Sequence, residues 1–213
     1  MSALCAMSPR APGGPRAVRG LPLRLAAWAM PLLLGLSMAL VLAPPLVRAA
    51  LPAGAAVLPE RSIKAAFLYK FLGYAEFPAS AFADAGAPLV IGVAGADELA
   101  ADLARIVAGR AVQGRPVLVR PLREHDPLSG LHLLFIGGDD PARLRTALRA
   151  IGAMPTLVVT ESQQGLQQGS VINFRIVEER VRFDVSLEAA DRNSVKLSSR
   201  LLTVANHVHK GAP

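Results

Sequence analysis

Cysteine is almost absent from this chain: Cys5 is the single one among 213 residues. It sits in a leader expected to be removed, so no disulfide, thiol nucleophile or cysteine-held metal is expected in the remainder. Aromatic residues are scarce, at 5%. Charge is missing altogether from Leu25 to Val47. That uncharged run follows Arg10, Arg16, Arg19 and Arg24 and ends in Pro44-Pro45 and V-R-A-A. A basic start, an apolar middle and small residues at the end predict a signal peptide over 1–49, cut after Ala49. Ala53-Gly54-Ala55 is a second cleavage option. An uncleaved anchor is the alternative, because an apolar run of this length just spans a bilayer. Either case puts the rest outside the cytoplasm.

The leader also accounts for most of the positive charge. The chain carries +7, but five of its 23 basic residues, including Arg48, and none of its 16 acidic ones precede the cut. Eighteen basic against 16 acidic residues leave +2 beyond it. A nucleic-acid partner therefore loses its main support. There is no repeat and no low-complexity linker beyond 50–59, so 60–208 reads as one domain with a tail at 209–213.

Within that domain, Ile63, Phe67, Phe71, Tyr74 and Phe77 recur at steps of three and four, predicting a helix with one apolar stripe, capped by Ser62 and ended by Pro78. Apolar runs at Leu89–Ala94, 116–122, 131–136 and 156–160 predict strands. Helical stretches follow the first and third, with Asp97 and Asp139 or Asp140 as caps. Such alternation with near-continuous apolar strands predicts an α/β fold: a mixed, largely parallel sheet covered by helices. Ser170–Leu187 alternates with period two on both sides of Glu178-Glu179, predicting a closing β-hairpin near a sheet edge. Ile172, Phe174, Ile176, Val181, Phe183 and Val185 are assigned to its buried face, and Asn173, Arg175, Arg182 and Asp184 to the other. A short helix capped by Ser198 follows, and His207 and His209 fall in an expected frayed end.

No H-E-x-x-H, G-x-S-x-G or complete Gly-rich phosphate loop is present. No catalytic group, metal or cofactor is expected. Gly95, Gly137, Gly138 and Thr160 lie where strands end, the rim at which open α/β sheets bind small molecules, and are the candidate ligand residues. Exposed aromatics of the first helix (Tyr69, Tyr74, Phe77) and the basic C-terminal third (Arg175, Arg182, Lys196, Arg200) are candidate contacts for a protein partner.

The pieces I-K-A-A-F-L-Y-K-F-L-G-Y-A-E-F-P, L-H-L-L-F-I-G, T-L-V-V-T-E-S and S-V-I-N-F-R-I-V-E-E-R-V-R-F-D-V-S-L through K-L-S-S-R-L-L occur here in that order. In content and order they resemble the YfiR-like periplasmic family. The resemblance implies a periplasmic repressor that binds the periplasmic domain of an inner-membrane diguanylate cyclase, lowering cyclic-di-GMP and biofilm formation; it also allows a homodimer. Two departures stand out. Better-known relatives carry cysteines that pair as disulfides, and a cysteine is common before the His-initiated strand, where this chain has Leu131, so redox control through disulfides is excluded here. Relatives often turn the hairpin on Asp-Gly or Asn-Gly, where this chain has Glu178-Glu179, leaving its turn type open. The alternatives are a periplasmic small-molecule sensor without a cyclase partner and, further off, a hydrolase.

Overall fold

The computed structural model describes residues 59–211; the expected signal peptide and most of the expected linker lie outside them. The chain opens with helix α1 (Glu60–Tyr74), a two-residue strand β1 (Ala75–Glu76) and a 3-10 turn at Ala79–Ala81. Then come β2 (Leu89–Ala94), α2 (Asp97–Val107), β3 (Ala111–Val112), β4 (Arg115–Leu122), β5 (Leu133–Ile136), α3 (Pro141–Ile151) and β6 (Leu157–Thr160). The last part is α4 (Gly165–Gln168), β7 (Ile172–Val177), β8 (Arg180–Ser186), α5 (Leu187–Arg192), β9 (Lys196–Leu197), α6 (Ser199–Val204) and β10 (His207–His209).

Eight strands form one sheet in the order β10-β8-β7-β6-β5-β2-β4-β3. Its centre, from β4 through β7, is parallel, and β8 returns antiparallel to β7. The short apolar strands behave as a two-sided sheet requires. In β5, Leu133 and Phe135 enter the core beneath α1 and α2, while Leu134 and Ile136 enter a second core beneath α3. β6 divides the same way, Leu157 and Val159 against Val158. Strands buried on both faces have no polar side to show, which is why they read as continuous apolar runs.

α1 packs its Ala65, Leu68, Phe71 and Leu72 into the first core. This corrects the expected stripe: the helix ends at Tyr74, Phe77 lies beyond β1, and Lys64 is buried in their place. Ser62 is not the cap. Pro59 holds that position, and the Ser62 hydroxyl donates to buried Asp102 of α2 at 2.7 Å. That bond, joined by Arg61 and Arg105, holds the Asp102 carboxyl below the usual aspartate range, so its contribution is present at neutral pH and lost in acid as the carboxylate protonates. Asp140 does cap α3, accepting from the Ala142 and Arg143 amides, and Pro141 takes the first helical position. Ala96, rather than Asp97, is the residue before α2, and Ser198 precedes α6 without using its hydroxyl as a cap.

The hairpin pairs Phe174 with Phe183 and Val177 with Arg180, leaving a two-residue turn. Both turn residues are left-handed, Glu178 at φ 49° and Glu179 at φ 58°. Two positive φ values define a type I′ turn, the geometry that Asn-Gly serves without strain. In this conformation the Cβ of each glutamate crowds the following carbonyl oxygen, at a cost of about 1 kcal/mol apiece. Replacing Glu178-Glu179 by Asn-Gly is therefore expected to stabilise the protein by about 1–2 kcal/mol, read as a higher urea midpoint.

Three hairpin assignments are overturned. Ile176 is 52% exposed, because the core under α1 reaches along β7 only to Phe174, although Val181 opposite Ile176 still packs at its margin. Asn173 and Asp184, expected outside, are buried at 3% and 4% because other polar groups receive them. The expected frayed end is instead the edge strand β10, running parallel to β8 from His207 to His209.

Candidate functional site

The candidate ligand residues lie where β2, β5 and β6 end. Gly95 turns the chain after β2 with φ +71°. A methyl group on Gly137 would stand 2.8 Å from Ala96 Cβ and 3.0 Å from the Gly95 carbonyl. The two glycine turns thus pack against each other, and the Arg143 guanidinium covers Gly95 from outside. Their backbones offer no open cradle for a phosphate. Thr160 is buried. Its hydroxyl donates to Asn173 Oδ1 at 2.6 Å and lies 3.0 Å from the Ser170 hydroxyl, so it locks β6 to β7. Gly95 and Gly138 are both exposed, but of the four candidates Gly138 alone borders a concave space.

That space is a cleft of about 670 Å³ between the start of α1, the loops after β5 and β6, and β7. Lys64 forms one wall. It is ion-paired to Glu60 one turn earlier and to Glu161 at 2.5 Å. Burial opposes the charge on its ammonium, but the bonds to Glu161 and Glu60 outweigh that and raise its pKa above the usual lysine value. Glu161 turns its other oxygen to the Gly138 amide at 2.7 Å, so a helix, a strand end and a glycine turn meet at one carboxylate. Ser162 lines the same cleft, and its hydroxyl is buried with no hydrogen-bond partner among the described residues. Asn173 and Arg175 close the far side. Sequence reasoning passed over Lys64, Glu161, Ser162 and Asn173. The one available signal was Glu60 four residues before Lys64, an ion-pair spacing on a helix face that was otherwise apolar.

The candidate partner residues separate into several places. Tyr69 is half-buried, with the Arg110 guanidinium 5.5 Å from its ring centre. Phe77 packs edge-on against Phe82 and His132 and belongs to the core margin. Tyr74 is 36% exposed. Arg175 and Arg182 face each other across the hairpin. By alternation with Phe174 and Phe183, they point away from α1. Lys196 sits in β9, opposite Glu76 of β1, and Arg200 is exposed on α6, which packs beside α1. The four cations therefore form no single basic face.

His132, assigned to a strand start, is buried. Its Nδ1 accepts from the Val90 amide at 3.1 Å, and its ring stacks on Phe82 at 4.6 Å. Burial lowers its pKa, with the nearby Arg115 charge adding to the effect and the Ala81 backbone opposing it. Above about pH 6.5 the ring is neutral both folded and unfolded. Below that the unfolded chain takes up the proton first, so stability is expected to fall as pH drops from 7 toward 5. Urea midpoints across that range check it, and the slope is expected to shrink in His132→Gln, whose amide oxygen can still accept from Val90.

A largely parallel α/β sheet domain whose rim cleft is walled by an ion-paired lysine defines the class. The chain belongs to the YfiR/HmsC-like family, whose sequence profile matches residues 61–206. A comparison with curated proteins gives no match. Among the described residues, no helix is long and apolar enough to cross a membrane. Among the same residues, no group of three or more His, Cys, Asp or Glu side chains is placed to hold a metal.

Proposed function

We propose that this protein is a periplasmic regulator that binds the periplasmic domain of an inner-membrane diguanylate cyclase and restrains it, lowering cyclic-di-GMP and biofilm formation. The observation that carries this reading is family membership over 61–206, essentially the whole described domain. The leader, with its basic start and uncharged run, supports export. Restraint needs only unequal binding: each 1.4 kcal/mol of preference for the partner's inactive state shifts its balance about tenfold. Tyr74, Arg175, Arg182, Lys196 and Arg200, all exposed, remain the proposed contacts. Deleting the gene is expected to raise cyclic-di-GMP and surface attachment. Unchanged levels, with no membrane protein crosslinked to the tagged chain, would remove the reading.

A second reading, a small-molecule sensor without a cyclase partner, draws on the rim cleft and the unpartnered Ser162 hydroxyl at its wall. Its ligand would meet Gly138, Asn173 and Arg175. A thermal-shift screen of metabolites separates the two: a raised melting point in the isolated protein, abolished by Ser162→Val, favours the sensor.

A further inference from the structure

The two sides of β7 are paired to different lengths. β8 accompanies it from Ile172 to Val177, whereas β6 pairs only with Ile172 and Asn173. From Phe174 onward, among the described residues, the side toward β6 has no strand neighbour. The two-residue turn makes Val177 and Arg180 a hydrogen-bonded pair, and such pairs alternate along an antiparallel ladder. The main-chain N–H and C=O of Ile176 therefore point away from β8, into the cleft that also holds Glu161 and Gly138.

An unpaired strand edge is a template for another strand, and proteins commonly block such edges. The outer edges of this sheet are blocked. At one side the two-residue β3 covers the start of β4 at Arg115 and Pro116; past it β4 carries Pro121, and its Arg120 side chain donates to the carbonyls of Pro127 and Ser129, tying the next loop to it. β10 is three residues long and is followed by Lys210. β7 has neither proline nor lysine, and it presents Ile176 with half its surface in solvent.

Charge says what an added strand would carry. Arg175 and Arg182 lie directly opposite each other, and like charges so placed repel. Asp184, 3.7 Å from Arg175 Nε, offsets part of this. A carboxylate on the open side of Arg175 would offset more. Ile176, on the other face, would meet an apolar side chain.

We propose that β7 receives an extended segment of a partner polypeptide as an added strand along Arg175–Val177, with an acidic residue beside Arg175 and an apolar one beside Ile176. This rests on the reading that the protein acts by binding another protein. The probe is the capped pentapeptide Thr-Val-Glu-Val-Thr, compared with its Thr-Val-Lys-Val-Thr counterpart, on ¹⁵N-labelled protein. The Glu peptide is expected to shift the Ile176 amide and slow its exchange about tenfold, with the Lys peptide weaker. Ile176→Pro is expected to abolish binding while keeping the unfolding midpoint, because proline is tolerated where an edge N–H serves no fold bond. Arg182→Glu, which relieves the arginine pair, is expected to weaken the Glu peptide about fivefold. An Ile176 amide unmoved by either peptide overturns the proposal. So does concentration-dependent self-association that Ile176→Pro abolishes, which would assign the edge to a second copy. Peptide binding at Ile176 with unchanged cyclic-di-GMP in the deletion strain keeps the edge and removes only the cyclase reading. Raised cyclic-di-GMP with a silent edge does the reverse.

Discussion

Phe71→Ala is expected to destabilise the protein by about 4 kcal/mol, the largest effect of any single truncation considered. Phe71 is 1% exposed at the centre of an aromatic cluster. Its ring lies 4.9 Å from Phe183, 5.7 Å from Phe174 and 5.8 Å from Phe67. Removing it leaves a cavity shared by α1 and both hairpin strands, and neither can collapse alone because Phe174 is also held by Phe135. Tyr74, three residues on, is 36% exposed, and Tyr74→Ala is expected to cost no more than about 1 kcal/mol. Urea unfolding followed by circular dichroism checks both. Equal losses would mean that α1 docks through a different face.

Gly165→Ala is expected to cost about 3 kcal/mol, more than its added methyl group suggests. A Cβ at Gly165 would stand 2.5 Å from Asn173 Oδ1 and press on the Thr160 hydroxyl even more closely. Those two atoms hydrogen-bond each other in a buried setting, so neither can retreat without leaving a polar group unpaired. The same pair joins β6 to β7 at the wall of the cleft, so the variant is also expected to disturb Asn173 amide resonances. Gly73→Ala is the control. Nothing lies within 4 Å of its added methyl, and in α1 alanine is the better helix former by up to about 1 kcal/mol. A destabilised Gly73→Ala, or a neutral Gly165→Ala, would contradict this packing.

The contrast between these glycines shows where sequence reasoning stopped. Gly165 stands between Gln164 and Leu166, and no pattern distinguishes it from a loop glycine. Its requirement comes from Asn173 and Thr160, eight and five residues away along the chain and adjacent only in the fold. Lys64 is a similar case. On a helix wheel it is one cation among apolar neighbours, and its burial depends on Glu161, 97 residues later.

What local pattern determines was readable, because it depends on neighbours in the chain. Apolar runs at β2, β5 and β6 specified strands buried on both faces. Asp139 or Asp140 followed by Pro141 specified the start of α3, the structure choosing Asp140, and alternation around Glu178-Glu179 specified the hairpin. Period two states only that alternate residues share a face. It does not state how far a covering helix extends, so Ile176 and Phe174 looked alike until α1 was seen to stop short of one of them. Nor does it reveal partners that make a polar face hospitable, as Thr160 does for Asn173 and Asn206 for Asp184. The cleft, the ion pair at its wall and the open side of β7 arise where segments far apart in sequence end at one rim. Only the tertiary structure decides where those ends meet.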